Sequence, residues 1–203
     1  MKRSLQRMSV TGLLLFLAMG AFYLSGWSRG IDTAVSETVK YFHQPLVNTF
    51  VTLLTHLNSP PALLILSLFI TIILAIKRAW RLILLFLTGL WGTALATALV
   101  KALINRPRPL DRLVEIHSPS FPSWHASTSM ALAVLLWVFL SPRWGRRAYW
   151  IFLWPLGIGL SRIWLNAHWC SDVLAGWGLG LAVAGTMTAL FLPRPYRQGE
   201  TSH

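Results

Sequence analysis

The sequence predicts an all-α integral membrane bundle of six transmembrane helices, with both termini on the inner side. Three observations predict it. Hydrophobic residues make up 55% of the 203-residue chain and charged residues only 12%, far from the composition of a soluble domain. The apolar residues gather into runs close to bilayer-spanning length, about 20 residues. The basic residues cluster on alternate connections, as the positive-inside rule requires.

The first run, 9–27, follows Lys2, Arg3 and Arg7. It is long for a signal-peptide core and leads into further spans, so it reads as an uncleaved anchor. Residues 28–60 then form an outer-face stretch in which Ile31, Val35 and Val39 recur every four residues, with Asp32, Glu37 and Lys40 on other faces. That pattern suits an interfacial helix; a connector packed on the bundle gives the same pattern. Spans at 61–76 and 81–104 enclose Lys77, Arg78 and Arg81, and spans at 127–141 and 148–165 enclose Arg143, Arg146 and Arg147. The 61–76 and 127–141 runs are short, and gain length from flanking residues or from local bilayer thinning. The last span, 171–193, precedes Arg194 and Arg197. Trp27, Trp80, Trp144, Trp150 and Trp164 fall near span ends, where an aromatic belt belongs.

Ala94 with Ala98, and Gly176 with Gly180 and Ala184, place small residues at four-residue spacing for close helix approach. The lone Cys170 excludes an intramolecular disulfide. No repeat divides the chain, so residues 1–203 read as one membrane domain. The net charge of +12 follows topology rather than gathering in a patch, which argues against a nucleic-acid partner. No obligate protein partner is signalled.

The outer-face ends of the spans hold the chemistry. Lys101 closes the third span and "NRPRP" follows, its prolines stopping the helix and extending Arg106 and Arg108. The loop 110–122 carries Arg112 and leads to Ser123, Trp124 and His125 at the mouth of the fourth span. Arg162 lies near the end of the fifth, and His168 and Asp172 straddle the entry to the sixth. Ionisable residues at a bundle margin are costly to desolvate, so such a cluster points to a site. Lys101, Arg108 and Arg162, with Arg106 beside them, make it an anion site, for which arginine forks match phosphate oxygens. Ser123 and Trp124 start a helix, where free N–H groups also favour an anion; an ordinary N-cap is the plainer role for the serine. His168 and Asp172, four apart, share a helix face, so Asp172 can hold one imidazole N–H and aim the other nitrogen outward as a nucleophile. His125 can protonate a leaving oxygen. Two histidines and a carboxylate could instead hold a metal, but three or four nearby cations would repel a divalent ion. No metal or other cofactor is therefore expected.

These residues resemble the type 2 phosphatidic acid phosphatases, or lipid phosphate phosphatases. Their signature is Lys-x6-Arg-Pro, Pro-Ser-Gly-His and Ser-Arg-x5-His-x3-Asp. This sequence has Lys101-ALINRP-Arg108-Pro109, Pro122-Ser123-Trp124-His125 and Ser161-Arg162-IWLNA-His168-WCS-Asp172. The resemblance implies His168 as a nucleophile forming phosphohistidine, Asp172 as its orienter and His125 as acid, then base. It implies Lys101, Arg108, Ser123, the Trp124 backbone and Arg162 as the phosphate clamp. Trp124 departs from the motif glycine, and its ring either turns to lipid or walls the pocket. The expected activity is hydrolysis of a lipid phosphate at the outer face of the inner membrane. Undecaprenyl pyrophosphate is the favoured substrate, with Arg106 and Arg112 as candidate contacts to a second phosphate. Phosphatidylglycerophosphate and phosphatidic acid are the alternatives. A lipid phosphotransferase would share the site and differ in its acceptor; a non-catalytic lipid-phosphate binder or flippase would not need the nucleophile.

Overall fold

The computed structural model describes residues 2–192; Arg194 and Arg197, placed after the last span by the sequence, lie outside them. Every regular element among the described residues is a helix. In chain order these are α1 (Lys2–Leu24), α2 (Ser28–Tyr41), α3 (Pro45–His56), α4 (Pro60–Ile76), α5 (Trp80–Ile104) and α6 (Trp124–Trp144). A 3-10 segment (Gly145–Phe152), α7 (Leu153–Trp164) and α8 (Cys170–Phe191) follow. Arg3–Leu24, Trp80–Ile104, Trp124–Trp164 and Cys170–Phe191 are long and apolar enough to cross a membrane. The pair α3 and α4, bent by 41° at its junction, qualifies together as one more.

The 124–164 stretch doubles back. Gly145, with φ +52, follows α6, and Trp124 and Arg162 from its two ends line one cavity. The helix α8 is the centre of the bundle, packed against α1, α5 and α6. Its glycines permit this. A Cβ on Gly178 would stand 2.7 Å from Phe16 N of α1, and one on Gly176 would stand 2.7 Å from Ser123 O. Gly176 and Gly180 face the start of α6, as their spacing predicts, while Gly178 and Gly185 face α1. Hydroxyl pairs join the helices where lipid offers no partner: Ser9 with Thr186 at 2.6 Å and Thr97 with Ser127 at 2.7 Å.

Residues 28–60 add two features that the apolar pattern alone does not show. First, α2 forms, but its buried residues are Ser28, Asp32 and Ser36, while Ile31 is 57% exposed. Its polar stripe faces protein, while of the apolar stripe Ile31 is exposed and Val35 and Val39 are half-buried. Second, 45–56 is a helix with Pro45 in its first turn, and α4 likewise starts on prolines, whose missing N–H costs nothing there. The short second span thus gains a partner, α3. At the junction the fully buried Asn58 donates to Thr128 Oγ1 at 2.9 Å and to His125 O at 3.2 Å, tying the bend to α6. Of the tryptophans assigned to a belt, Trp27, Trp80, Trp144 and Trp150 are exposed. Trp164 instead packs inward, its Nε1 donating to Asn48 Oδ1 at 2.9 Å.

Candidate active site

One cavity of about 330 Å³ gathers Arg108, Trp124, His125, Arg162 and His168. The bend between α3 and α4 adds Thr55, His56, Ser59 and Pro60, and the loop after α5 adds Val114, Glu115, Ile116 and Ser118.

The loop 105–123 is shaped by its own sequence. Asn105 takes the left-handed conformation (φ 46) and closes α5, its N–H bonding Lys101 O at 3.0 Å. Pro107 and Pro109 keep the chain extended, and the Phe121–Pro122 peptide is cis. Arg108 holds the loop together: Nε donates to Ser118 O at 2.7 Å, Nη2 to Pro119 O at 3.1 Å and Nη1 to Ala167 O at 2.6 Å. The same Nη1 lies 3.0 Å from His168 Nε2. An arginine can only donate, so Nε2 is an acceptor and the proton sits on Nδ1, a tautomer assigned from this network.

His168 precedes α8, so it and Asp172 do not meet as turns of one helix. They meet because Asp172, in the first turn, folds back to accept the Trp169 N–H at 3.0 Å. The direct His168 Nδ1 to Asp172 Oδ2 distance is 3.5 Å, long for a hydrogen bond. Ser120, fully buried, lies between them: its hydroxyl donates to Asp172 Oδ2, and its oxygen lies 3.4 Å from His168 Nδ1. Sequence reasoning gave Ser120 no role; a serine in a loop announces nothing until its burial is known.

Electrostatics favour a neutral imidazole and a bound anion. Burial, then the charges of Arg108, Arg162, Lys101 and His125, push the His168 pKa well below its ordinary value. Burial lowers the Arg108 pKa to about 10, still cationic near neutrality. Among the described residues Lys101, Arg108 and Arg162 form no ion pair; the carboxylates that pair do so with Lys40, Arg106 and His168. Arg162 donates through Nη1 to Thr55 Oγ1 at 3.0 Å, and its buried Nε has no partner among the described residues. Arg162, buried on the cavity wall beside the half-buried Arg108 and without a paired carboxylate, is held at a cost in desolvation, which an incoming anion relieves.

Other expected site residues lie elsewhere. Arg106 does not face the cavity. It is buried, bonded to Asp32 (2.7 Å) and Asp172 (2.6 Å), because two carboxylates outcompete a single open cavity for its charge. Arg112 donates to Pro109 O at 3.3 Å and is likewise absent from the cavity wall. Ser123 is fully buried, and its oxygen caps α6 by accepting the Ala126 N–H at 3.4 Å; the plainer N-cap role is the one its geometry shows. Lys101 donates to Pro119 O and Ser120 O, bracing the loop behind the cavity. Trp124 does line the cavity, its ring edge-on to His125 with centroids 5.5 Å apart. As the first residues of α6, Trp124 and His125 carry N–H groups without partners in their own helix, which favours an anion there. Among the described residues no three His, Cys, Asp or Glu side chains are grouped to hold a metal.

Residues 78–196 match the model of the PAP2 superfamily. Phosphatidylglycerophosphatase B of Bacillus subtilis (strain 168) is 29% identical over 182 residues, covering 85% of this chain and 89% of that one. The crystal structure of a transmembrane PAP2-type phosphatidylglycerolphosphate phosphatase from Bacillus subtilis superposes with a TM-score of 0.81 at 28% identity, covering 90% of this chain and 94% of that one. Aquifex aeolicus LpxE matches in fold, with a TM-score of 0.64 at 22% identity over 79% of this chain and 94% of its own.

Proposed function

Because this chain belongs to the PAP2 superfamily and is a membrane lipid phosphatase, we propose that its substrate is a phospholipid phosphate monoester, phosphatidylglycerophosphate first and phosphatidic acid second. The observation that carries the chemistry is the unprotonated His168 Nε2 held 3.0 Å from a cavity-facing Arg108. A phosphate drawn to Arg108 and Arg162 meets that nitrogen. His168 Nε2 attacks phosphorus, the bond to the lipid oxygen breaks, and His125 protonates the departing glycerol oxygen. General acid help of this kind is typically worth about 10²–10⁴-fold. Asp172, with Ser120, keeps Nδ1–H in place and offsets the charge that phosphorylation puts on the ring. His125 then takes a proton from water, whose oxygen attacks the phosphohistidine and frees phosphate. Arg108, Arg162 and the α6 N-terminus meet the charge on the phosphoryl oxygens, and no metal takes part.

The cavity supports a monoester over the pyrophosphate expected from the sequence. Arg106 and Arg112, the candidate contacts for a second phosphate, are engaged elsewhere, and Glu115 stands on the wall. A second phosphate placed beside Glu115 would be repelled by its carboxylate. The relatives named as phosphatidylglycerophosphatases support the same alternative. The proposed setting is one domain of six spans, with α3–α4 as the second and α6 and α7 as separate crossings. Both termini lie inside, with the site at the outer face of the inner membrane. Phosphate release by purified protein from phosphatidylglycerophosphate, phosphatidic acid and undecaprenyl pyrophosphate, with chelator present, tests the substrate. We expect higher kcat/KM on both phospholipids; equal or greater kcat/KM on the pyrophosphate refutes the assignment.

A further inference from the structure

Behind the cavity wall, three residues of α2 make polar contacts with the segments that carry the site. Asp32, Ser36 and Lys40 lie at four-residue steps on one face of the helix. Asp32 reaches Arg106 after α5 and Ser171 at the start of α8. Ser36 donates to Asn166 Oδ1 at 2.6 Å, between α7 and α8, and Lys40 bonds Asp111 in the long loop.

Asp32 is the member of this set that touches the chemistry through others. It is 2% exposed, and both of its oxygens are engaged. Oδ1 accepts the Ser171 N–H at 3.0 Å; Oδ2 accepts the Ser171 hydroxyl and Arg106 Nη2, each at 2.7 Å. Arg106 Nη1 in turn donates to Asp172 Oδ1 at 2.6 Å, and the guanidinium lies 4.3 Å from the Tyr23 ring centroid and 5.6 Å from that of Trp169. A planar guanidinium bonded to a carboxylate through each of its terminal nitrogens ties the two carboxylates together in one geometry.

We infer that Asp32 is a positioning residue for the reaction, acting through Arg106 on Asp172 and so on His168. The inference rests on the reading of His168 as the nucleophile. The three buried groups Asp32, Arg106 and Asp172 sum to one negative charge, which faces the Nδ1 side of the imidazole. The imidazole also feels the charges of Arg108 from the long loop, Arg162 from α7, Lys101 from α5 and His125 from α6, of which Arg108 is in contact with it, at Nε2. Without the Asp32 charge, Arg106 is left to Asp172 alone and the triad becomes neutral. The carboxylate then supports an imidazolium less well. Without the Arg106 charge, two carboxylates face each other and the triad carries two negative charges.

The signs give the test. In detergent-purified full-length protein, kcat and KM for phosphatidic acid are measured from acid to alkaline pH for Asp32→Asn, Arg106→Gln, the double variant and His168→Ala. Thermal unfolding reports folding of each. Asp32→Asn lowers kcat by about 10–100-fold, the range seen for residues that orient a metal-bound histidine, leaves KM nearly unchanged and moves the acid limb of kcat to lower pH. Arg106→Gln moves that limb to higher pH. The double variant restores the single negative charge and returns the limb toward wild type, above the kcat of Arg106→Gln. A purely architectural role predicts no opposed shifts and no restoration. Asp32→Asn with wild-type kcat and acid limb overturns the inference. If it does not fold, a folded double variant whose limb stays with Arg106→Gln overturns it equally. Turnover by His168→Ala would instead remove the underlying reading of the nucleophile.

Discussion

Trp124 stands where the motif resembled here has glycine, and its backbone does not need one. The non-glycine residues with left-handed φ among those described are Arg78, Asn105 and Asn166; Trp124 opens α6 with ordinary geometry. Its ring walls the cavity, so Trp124→Gly widens the site and broadens the range of lipid phosphates turned over, as a substrate panel would register. Ser120 is the sharper case. Ser120→Ala removes the hydroxyl between His168 and Asp172, and we expect kcat to fall by about 10–100-fold with KM little changed. A parallel rise in KM would place Ser120 against substrate instead. The pH profile follows from charge. A histidine whose pKa is depressed stays neutral as pH falls, so the acid limb of kcat/KM due to His168 lies below its ordinary value near 6.5. Arg108→Gln removes the largest charge opposing protonation and moves this limb upward. The substrate's own ionisation, near pH 6, is common to both enzymes and cancels in the comparison.

The helices were legible where their hydrophobic period was long. Runs at 81–104 and 171–193 match α5 and α8 closely, and the small residues of α8 were readable as a close-packing stripe. What pattern could not show was direction. The i, i+4 stripe of Ser28, Asp32 and Ser36 is as regular as that of Ile31 and Val35, and either could face protein. The buried partners Arg106 and Ser171 decided it for the polar stripe. Likewise the cationic sign of the site was readable, whereas the turning of Arg106 inward and of Lys101 onto backbone carbonyls depends on partners far apart in the chain. Helix α3 was hidden because twelve residues fall short of a span and Pro60 and Pro61 interrupt the run. The packing of α8 makes its own prediction. Gly178→Val drives a side chain into the α1 backbone and should destabilise the protein by at least the 1–3 kcal/mol typical of overpacking. Gly20, with open space around it, tolerates alanine. Thermal unfolding in detergent compares the two.

At the scale of the molecule, four helix ends and one bent helix pair converge on a single cavity, and the proposed topology turns that cavity outward. With Cys170 first replaced by serine, a cysteine at the exposed Leu110 should react with an impermeant thiol reagent on intact spheroplasts. One at Lys77 should react only after permeabilisation. The reverse pattern would invert the molecule in the membrane. The family signature singled these residues out by their spacing alone. It did not show which of them meet the cavity and which only hold it in shape. All of this chemistry turns on His168 carrying the phosphoryl group. The most direct test is phosphate release from phosphatidylglycerophosphate, with chelator present, by wild type and by folded His168→Ala. Release by the wild type and none above background by the variant is the predicted result; turnover by His168→Ala near the wild-type rate would contradict it.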